Sequence, residues 1–323
     1  MMQIRPYSIE DRSAVVELWN REATKYDYKP FLEQEFHDTF IDHPYYDAHC
    51  MWVGCNGKEI VGFAAGCSGD ELPLGDVAGY ITCVIVDADA ATPKHYDAFL
   101  SLIEERFRQL GKKQAEVLFF NPVKLKWRIP SSPQHEHNNA PGISKDLPLY
   151  EALIARGYED RSTQCGMYLK LGSFAVPEDI IRKEAKASTE GYTVTSYIPE
   201  LHTGLEATLA ALKNPQWEKD VVAYVKDGAP LVAAVHGSEV VGFAGPIILE
   251  PTGRAFFCGI GVHPQHEGHG LGSILFFRMV EAFQDAGCQY ISLFTGSNNP
   301  ALRIYQKAGF TIEKQFSILR REL

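Results

Sequence analysis

The stretch Val262-His-Pro-Gln-His-Glu-Gly-His-Gly-Leu-Gly-Ser273 places three glycines between an apolar run and an amphipathic one. Glycine adopts left-handed backbone conformations at little cost, so Gly268, Gly270 and Gly272 permit a tight loop with converging N–H groups. The amphipathic run that follows predicts a helix, whose N-terminus carries partial positive charge. Such a loop suits an anion, and a pyrophosphate in particular. The same glycine pattern is also found in dinucleotide-binding folds and in ordinary turns.

The segment before this loop has a counterpart near the N-terminus. Residues 57–66 match residues 237–246 at six of ten positions. Farther along the chain, residues 80–86 parallel residues 256–262. These matches indicate two copies of one structural unit.

Two tandem domains follow from this repeat. A chain of 323 residues exceeds the length that one hydrophobic core usually supports. The predicted boundaries are 1–171 for the first domain, 172–191 for a charged linker that contains Pro177, and 192–323 for the second domain.

Each copy has the same predicted order of elements: an opening strand and helix, a three-stranded meander, a long helix, a buried strand, a closing helix and a last strand. Apolar spacing supports this order, and Gly111 and Gly287 stop the long helices. An α/β (α+β) fold follows, in which each domain has a mixed, mainly antiparallel central sheet flanked by helices. The predicted segments are 3–7, 9–22, 51–55, 59–66, 79–86, 95–110 and 115–120 in the first copy, and 193–196, 199–212, 230–235, 239–249, 254–262, 270–286 and 290–294 in the second.

A long polar stretch interrupts the first copy over 123–147. It is rich in Pro, His, Asn and Ser. A loop of this length inside a compact domain is usually functional or mobile. His135 and His137 lie within it, and we expect them to be solvated.

The position of the glycine loop in its copy distinguishes a dinucleotide-binding fold from other folds with such a loop. A dinucleotide fingerprint follows the first strand of its domain, whereas this loop follows the fourth predicted strand of its copy. That arrangement resembles the GNAT superfamily of N-acyltransferases, whose pattern is Arg/Gln-x-x-Gly-x-Gly/Ala. Here the stretch reads Glu267-Gly-His-Gly-Leu-Gly272, with Glu at the first position. The later stretch Asn298-Asn-Pro-Ala-Leu-Arg-Ile-Tyr-Gln-Lys-Ala-Gly-Phe310 resembles the family pattern Asn-x-x-Ala-x-x-x-Tyr-x-x-x-Gly-Phe at every fixed position.

The resemblance implies a site for acetyl-CoA, used as a co-substrate without a metal. Tyr305 would protonate the leaving thiolate, since a phenol is protonated at neutral pH. The base is unassigned, because Leu293 stands where some members of the family have Glu; Glu218, His236 and Glu250 are candidates. The expected cofactor-binding residues are Ile260, Gly261, Val262, Gly268, His269, Gly270, Leu271, Gly272, Ser273 and Asn298.

The first copy is expected to have lost the cofactor. At the position of the glycine loop it has Asp87 and Asp89 and no glycine, so the backbone cannot form the cradle and the charge repels phosphate. Asn121 and Tyr150 are loose echoes of the second motif. The layout resembles tandem, mycothiol synthase-like members of the family, in which one half is degenerate.

The overall composition limits the classes of binding partner that we expect. With 31 Lys and Arg against 41 Asp and Glu, the net charge of −10 argues against nucleic acid. No apolar run is long enough to span a membrane, and seven scattered cysteines form no Cys-x-x-Cys pair, so a cytoplasmic protein is expected. His263, His266 and His269 lack the spacing of a zinc helix, so we predict no metal.

The expected function is transfer of an acetyl group from acetyl-CoA to an amine, either a small molecule or a peptide amine, by direct attack. The alternatives are a non-catalytic protein that senses CoA or binds partners, and an enzyme of the same fold with a different acyl donor. A homodimer is compatible with the sequence.

Overall fold

The computed structural model describes residues 2–117, 119 and 121–323. The first half of the chain contains β1 (Gln3–Pro6), α1 (Arg12–Glu22), α2 (Glu33–Phe36), β2 (Met51–Asn56), β3 (Glu59–Cys67), β4 (Ala78–Val86), α3 (Pro93–Gln109), β5 (Gln114–Val117), β6 (Trp127–Ile129), β7 (Ser132–His137), β8 (Ile143–Ser144), α4 (Pro148–Ala155) and β9 (Glu159–Lys170). Leu118 and Phe120, at the end of the predicted strand 115–120, lie outside the described residues.

The second half contains α5 (Glu178–Thr189), β10 (Tyr192–Ser196), α6 (Leu205–Ala211), α7 (Pro215–Lys226), β11 (Val232–His236), β12 (Glu239–Gly245), β13 (Ile248–Leu249), β14 (Arg254–Phe256), β15 (Gly259–Val262), α8 (Leu271–Asp285), β16 (Tyr290–Gly296), α9 (Ala301–Lys307) and β17 (Thr311–Glu322). The predicted mixture of helices with mainly antiparallel strands is confirmed. Among the described residues, no helix is both long and apolar enough to cross a membrane.

The chain divides into two compact units. Unit 1 comprises the chain up to Gly166 together with Phe294–Asn299 and Ile312–Leu323, and unit 2 comprises Met167–Leu293 and Pro300–Thr311. The chain therefore contributes its C-terminal strand to the N-terminal unit. The boundaries of the two sequence copies stay a prediction.

The sheet of unit 1 has the order β1-β2-β3-β4-β5-β17. Neighbouring strands are antiparallel except β4 and β5. β17 pairs with β5 through Leu319 opposite Val117, and an ion-pair cluster reinforces this pairing. Glu104, fully buried, accepts hydrogen bonds from Arg156 and Arg321.

The polar stretch 123–147 is more ordered than its composition indicates. β6 and β7 form a hairpin, and β8 pairs with β17. The prediction of solvated histidines is wrong, because His135 and His137 are both buried. The His137 ring lies 4.3 Å from that of Phe294, within an aromatic group that includes Trp127.

Unit 2 is built on the antiparallel sheet β10-β11-β12-β15. α6 packs on β12, and α8 packs on the strands of the same sheet. The range 172–191 holds α5, which packs against β10 and α8. The side chains between α6, α7 and the sheet form a core of buried residues: Leu205, Leu209, Val221, Leu231, Ala233, Val235, Val240 and Phe243.

The first helical region of unit 2 differs from the predicted helix over 199–212. The backbone of Thr203 donates to Ser238 and accepts from Val240, so the chain follows the β11–β12 turn before α6 begins at Leu205. A second helix, α7, follows α6 and was not predicted from the sequence. Asn214 begins it by accepting a hydrogen bond from the backbone N–H of Trp217.

Candidate functional site

A strand of unit 2 separates from its neighbour at the centre of the candidate site. β14 pairs in parallel with β16, with Arg254 opposite Tyr290 and Ala255 opposite Ile291. After Phe257 and Cys258 the chain continues as β15, which pairs with β12 instead. Among the described strands, β15 is therefore the edge of its sheet. Its outer backbone groups are open to an extended ligand.

The register identifies which backbone groups face that edge. The His263 N–H donates to the Val241 oxygen at 2.8 Å, and Gly261 lies opposite Phe243. Since successive residues of a strand point their backbone groups to opposite sides, Gly261 faces β12. The N–H groups of Ile260 and Val262 consequently face the open edge. A Cβ on Gly261 would lie too close to Cδ1 of Leu212, so the Leu212 side chain would have to move.

The glycine loop follows β15 directly and ends at the start of α8. Gly268 and Gly270 have φ values of +87° and +76°, which favour glycine strongly. The N–H groups of His269, Gly270, Leu271 and Gly272 donate to no atom of the described residues, whereas that of Ser273 donates to the Gly270 oxygen at 3.1 Å. A Cβ at Gly268 would meet nothing within 4 Å. The loop is thus an open cradle of unpaired donors at a helix N-terminus.

Histidines surround the cradle. The Tyr192 hydroxyl hydrogen-bonds His266 Nδ1 at 3.0 Å, and the Tyr192 ring lies 4.8 Å from that of His236 and 4.7 Å from that of His269. His269 Nδ1 lies 2.5 Å from a carboxylate oxygen of Glu190, a contact that lowers the pKa of Glu190. Burial, and then the charges of the neighbouring imidazoles, lower the pKa of His266. Among the described residues no cluster of His, Cys, Asp and Glu suits a metal ion.

Tyr305 lies on α9, packed against α8. Its ring is 5.1 Å from that of Phe276 and 5.9 Å from that of Phe310. Burial raises the pKa of the phenol above its ordinary value of 10.0, so the hydroxyl is protonated at neutral pH. That hydroxyl has no hydrogen-bond partner among the described residues and is available as a donor.

The second predicted motif divides between the two units. Asn298 is exposed and lies in the segment Phe294–Asn299 of unit 1, whereas Tyr305 belongs to unit 2. Unit 2 by itself therefore contains β15, the glycine loop and Tyr305, but not Asn298. The role expected of Asn298 stays a prediction.

The candidate bases differ in their surroundings. Glu250 forms an ion pair with Arg254 at 3.0 Å, and Arg254 also donates to the Ser292 hydroxyl. The His236 ring lies 4.8 Å from the Tyr192 ring, tilted by 41°, beside the glycine loop. Leu293 is buried in β16. Glu218 lies on the first turn of α7 and is half-buried.

Sequence reasoning overlooked the helix that covers the separated strand. A Cβ on Gly259 would clash with the Trp217 ring, and the Tyr224 ring lies 6.1 Å from that of Phe256. The signal was present as an Asn-Pro start followed by apolar residues at helical spacing.

Unit 1 contains a different arrangement at the corresponding position. α3 begins at Pro93, and the Thr92 side chain accepts a hydrogen bond from the His95 N–H. Asp87 forms an ion pair with Arg21 at 2.8 Å. A cavity of about 240 Å³ remains beside β4, lined by residues that include Val84, Val86, Glu22, Lys25, Tyr26 and Tyr96.

The sequence of unit 2 is similar to sequences of known acetyltransferases. Residues 198–310 match the sequence profile of the acetyltransferase (GNAT) family. A mycothiol acetyltransferase from Nocardiopsis dassonvillei is 34% identical over 93 residues, which are 28% of this chain and 27% of that protein. Another, from Pseudarthrobacter chlorophenolicus, is 31% identical over 119 residues, 35% of this chain and 34% of that protein. The matches thus span about a third or less of these curated relatives.

Solved structures extend the likeness of fold to the whole chain. A GCN5-related N-acetyltransferase from Sphaerobacter thermophilus aligns over 99% of this chain and 95% of its own, with a TM-score of 0.63 and 16% identity. A tandem GNAT protein from the clavulanic acid biosynthesis pathway aligns over 100% and 98%, with a TM-score of 0.56 and 15% identity. Residues 198–310 are therefore similar in sequence to the GNAT acetyltransferase family, and the whole chain has the fold of the tandem GNAT protein with which it aligns.

Proposed function

We propose that this protein transfers an acetyl group from acetyl-CoA to an amine, and that unit 2 carries the reaction. One observation carries the proposal: a strand that leaves its neighbour to become a sheet edge runs directly into a loop of unpaired N–H donors at a helix N-terminus. An extended amide chain that ends in a pyrophosphate matches both features in order. The pantetheine arm and pyrophosphate of CoA have that chemistry.

In this proposal the outward N–H groups of Ile260 and Val262 pair with the pantetheine amides. The pyrophosphate lies in the cradle formed by Gly268, His269, Gly270, Leu271, Gly272 and Ser273. The cradle supplies backbone donors and the field of α8, and no Lys or Arg is needed within the loop itself.

The acceptor is a small-molecule or peptide amine. The acceptor first loses a proton to water. Its neutral nitrogen then attacks the thioester carbonyl, the carbon–sulfur bond breaks, and the leaving thiolate takes the hydroxyl proton of Tyr305. The nitrogen gives up its second proton to solvent, and the Tyr305 phenolate takes a proton from solvent. The raised pKa of Tyr305 supports this role, because the phenol stays protonated at neutral pH. An N–H on the open edge of β15 would stabilise the developing oxyanion.

Calorimetric titration with acetyl-CoA tests the proposal through Gly270→Asp. This change puts a carboxylate at the cradle and a side chain on a residue with φ of +76°. We expect binding to weaken by about 100-fold or more, since it removes a backbone conformation and adds like charge. Gly287→Asp is the matched control: Gly287 ends the same helix with φ of +82° and open space around its Cβ.

The control should bind acetyl-CoA as the unmodified protein does. Equal binding by the Gly270→Asp and Gly287→Asp variants would contradict the cradle. Failure of the unmodified protein to bind acetyl-CoA or CoA would contradict the proposed function.

A further inference from the structure

One face of α7 lies along the separated strand. Trp217, Asp220 and Tyr224 follow each other at intervals of three and four residues, so they line the same side of the helix. Val221, next to Asp220, is fully buried in the core and fixes the rotation of the helix. An indole, a carboxylate and a phenol therefore lie on the same side of α7.

The two aromatic residues fix this face against the interruption between β14 and β15. Trp217 covers Gly259 and packs edge-on against Phe243, with ring centroids 5.5 Å apart. Two helical turns farther on, Tyr224 lies against Phe256. Asp220 is thus placed between them, level with residues 257 and 258. In agreement, burial first and the charge of Asp220 second raise the pKa of the Cys258 thiol to about 11.

Asp220 is partly buried, and its carboxylate accepts a hydrogen bond of 2.7 Å from the Gln216 amide at the surface. Among the described residues no Lys, Arg or His forms an ion pair with it. The nearby Glu250 differs, because Arg254 neutralises it at 3.0 Å. A carboxylate placed between two aromatic residues on one helix face, without an ion pair in the described part of the chain, is suited to a cationic ligand.

We infer that Asp220 holds the ammonium group of the acceptor, and that Trp217 and Tyr224 contact an apolar body of the same molecule. The inference rests on the proposed function, in which the thioester lies beside the open edge of β15. It narrows the acceptor to a primary amine with a hydrophobic substituent. An acceptor with a carboxylate or phosphate next to its amine would be repelled by Asp220.

Phenethylammonium is the probe, and 2-phenylethanol is its uncharged counterpart of similar shape. Calorimetric titrations are made on the full chain, with and without CoA. We expect phenethylammonium to bind more tightly than 2-phenylethanol, and Asp220→Asn to weaken its binding about tenfold while leaving 2-phenylethanol unchanged. Asp220→Glu, which keeps the charge, should restore part of the affinity.

Asp227→Asn is the matched control, because Asp227 is exposed at the end of the same helix and the change in net charge is identical. It should bind the probe as the unmodified protein does. The affinity of each variant for CoA checks that unit 2 is folded, and a Gln216→Glu variant, which adds charge beside Asp220, provides a second test if Asp220→Asn is unstable. That variant should bind phenethylammonium at least as tightly as the unmodified protein.

The outcomes separate the inference from the proposed function. If CoA binds but phenethylammonium does not, or binds equally to the Asp220→Asn variant, the inference is overturned and the proposed function stands. If phenethylammonium binding depends on Asp220 while CoA fails to bind, the amine site stands and the proposed function is overturned.

Discussion

The starts of α8 and α3 occupy the same position in two copies of one sequence unit, yet they differ in what they leave unpaired. At α8, glycines with positive φ hold four N–H groups open, and imidazoles stand around them. At α3, a threonine caps the helix, and the preceding loop carries Asp87, paired with Arg21. The difference indicates that a shared fold does not fix what a helix start can bind: unit 1 has the strand and the helix but lacks the glycine conformation that we propose for phosphate binding in unit 2.

The comparison extends to the tyrosines of the two closing helices, Tyr150 on α4 and Tyr305 on α9. Their substitution gives the largest effect on catalysis that we expect. Tyr305 has no hydrogen-bond partner among the described residues, whereas the Tyr150 hydroxyl donates to Asp160 at 3.0 Å. We expect Tyr305→Phe to lower kcat about 100-fold, as loss of a general acid does, with the affinity for acetyl-CoA unchanged. Turnover is measured as release of the CoA thiol in the presence of phenethylamine.

Tyr150→Phe is the control for that prediction and should leave kcat within about twofold, since its hydroxyl serves an ion-pair group in unit 1. A Tyr305→Phe variant with unchanged kcat would remove the general-acid role. Equal losses in both variants would indicate a structural effect instead.

A smaller effect is expected from the histidines around the cradle. In the free protein the pKa of His266 lies below 6.5, so the ring is neutral at pH 8. Bound phosphates favour the protonated imidazole and raise the pKa of His266. Binding of acetyl-CoA therefore takes up protons, and the affinity for acetyl-CoA increases as the pH falls through the raised pKa. Other charged residues lie near His266 and the glycine loop. The charge of Glu239 raises the pKa of His266, and Glu190, Lys183 and Lys186 lie on or next to α5.

We therefore expect acetyl-CoA to bind about threefold to tenfold more tightly at pH 6 than at pH 8. His266→Gln should flatten this dependence, while His49→Gln, an exposed site in unit 1, should keep it. Because the cofactor's own phosphate ionises in this range, only the difference between the two variants is diagnostic. Identical profiles for them would exclude the imidazole cluster as its source.

Much of the fold could be predicted from the sequence because the signals are local. Strands such as β3 and β4 are continuous apolar runs bounded by turns, and Gly270 marks the start of α8 by its φ requirement. The glycine loop follows from the same local patterns together with the family motifs, whereas the prediction of one strand over 254–262 missed its division into β14 and β15.

Other features depend on pairing between distant residues and leave no local signal. The addition of β17 to β5 joins Leu319 to Val117 across about two hundred positions, and no periodicity in either strand specifies that partner. The buried His137 ring packs against Phe294, which is also remote in sequence. The amine-recognising role inferred for Asp220 needed the contacts of Trp217 and Tyr224 with the interrupted strand.

The central claim is that unit 2 alone binds acetyl-CoA, and amide hydrogen exchange combined with calorimetric stoichiometry tests it most directly. Ordering of open donors by a ligand slows exchange at the groups involved. The account predicts one site per chain, with protection confined to residues 260–273 and the neighbouring Tyr305 helix. Two sites per chain, or protection of residues 84–96 in unit 1, would contradict it.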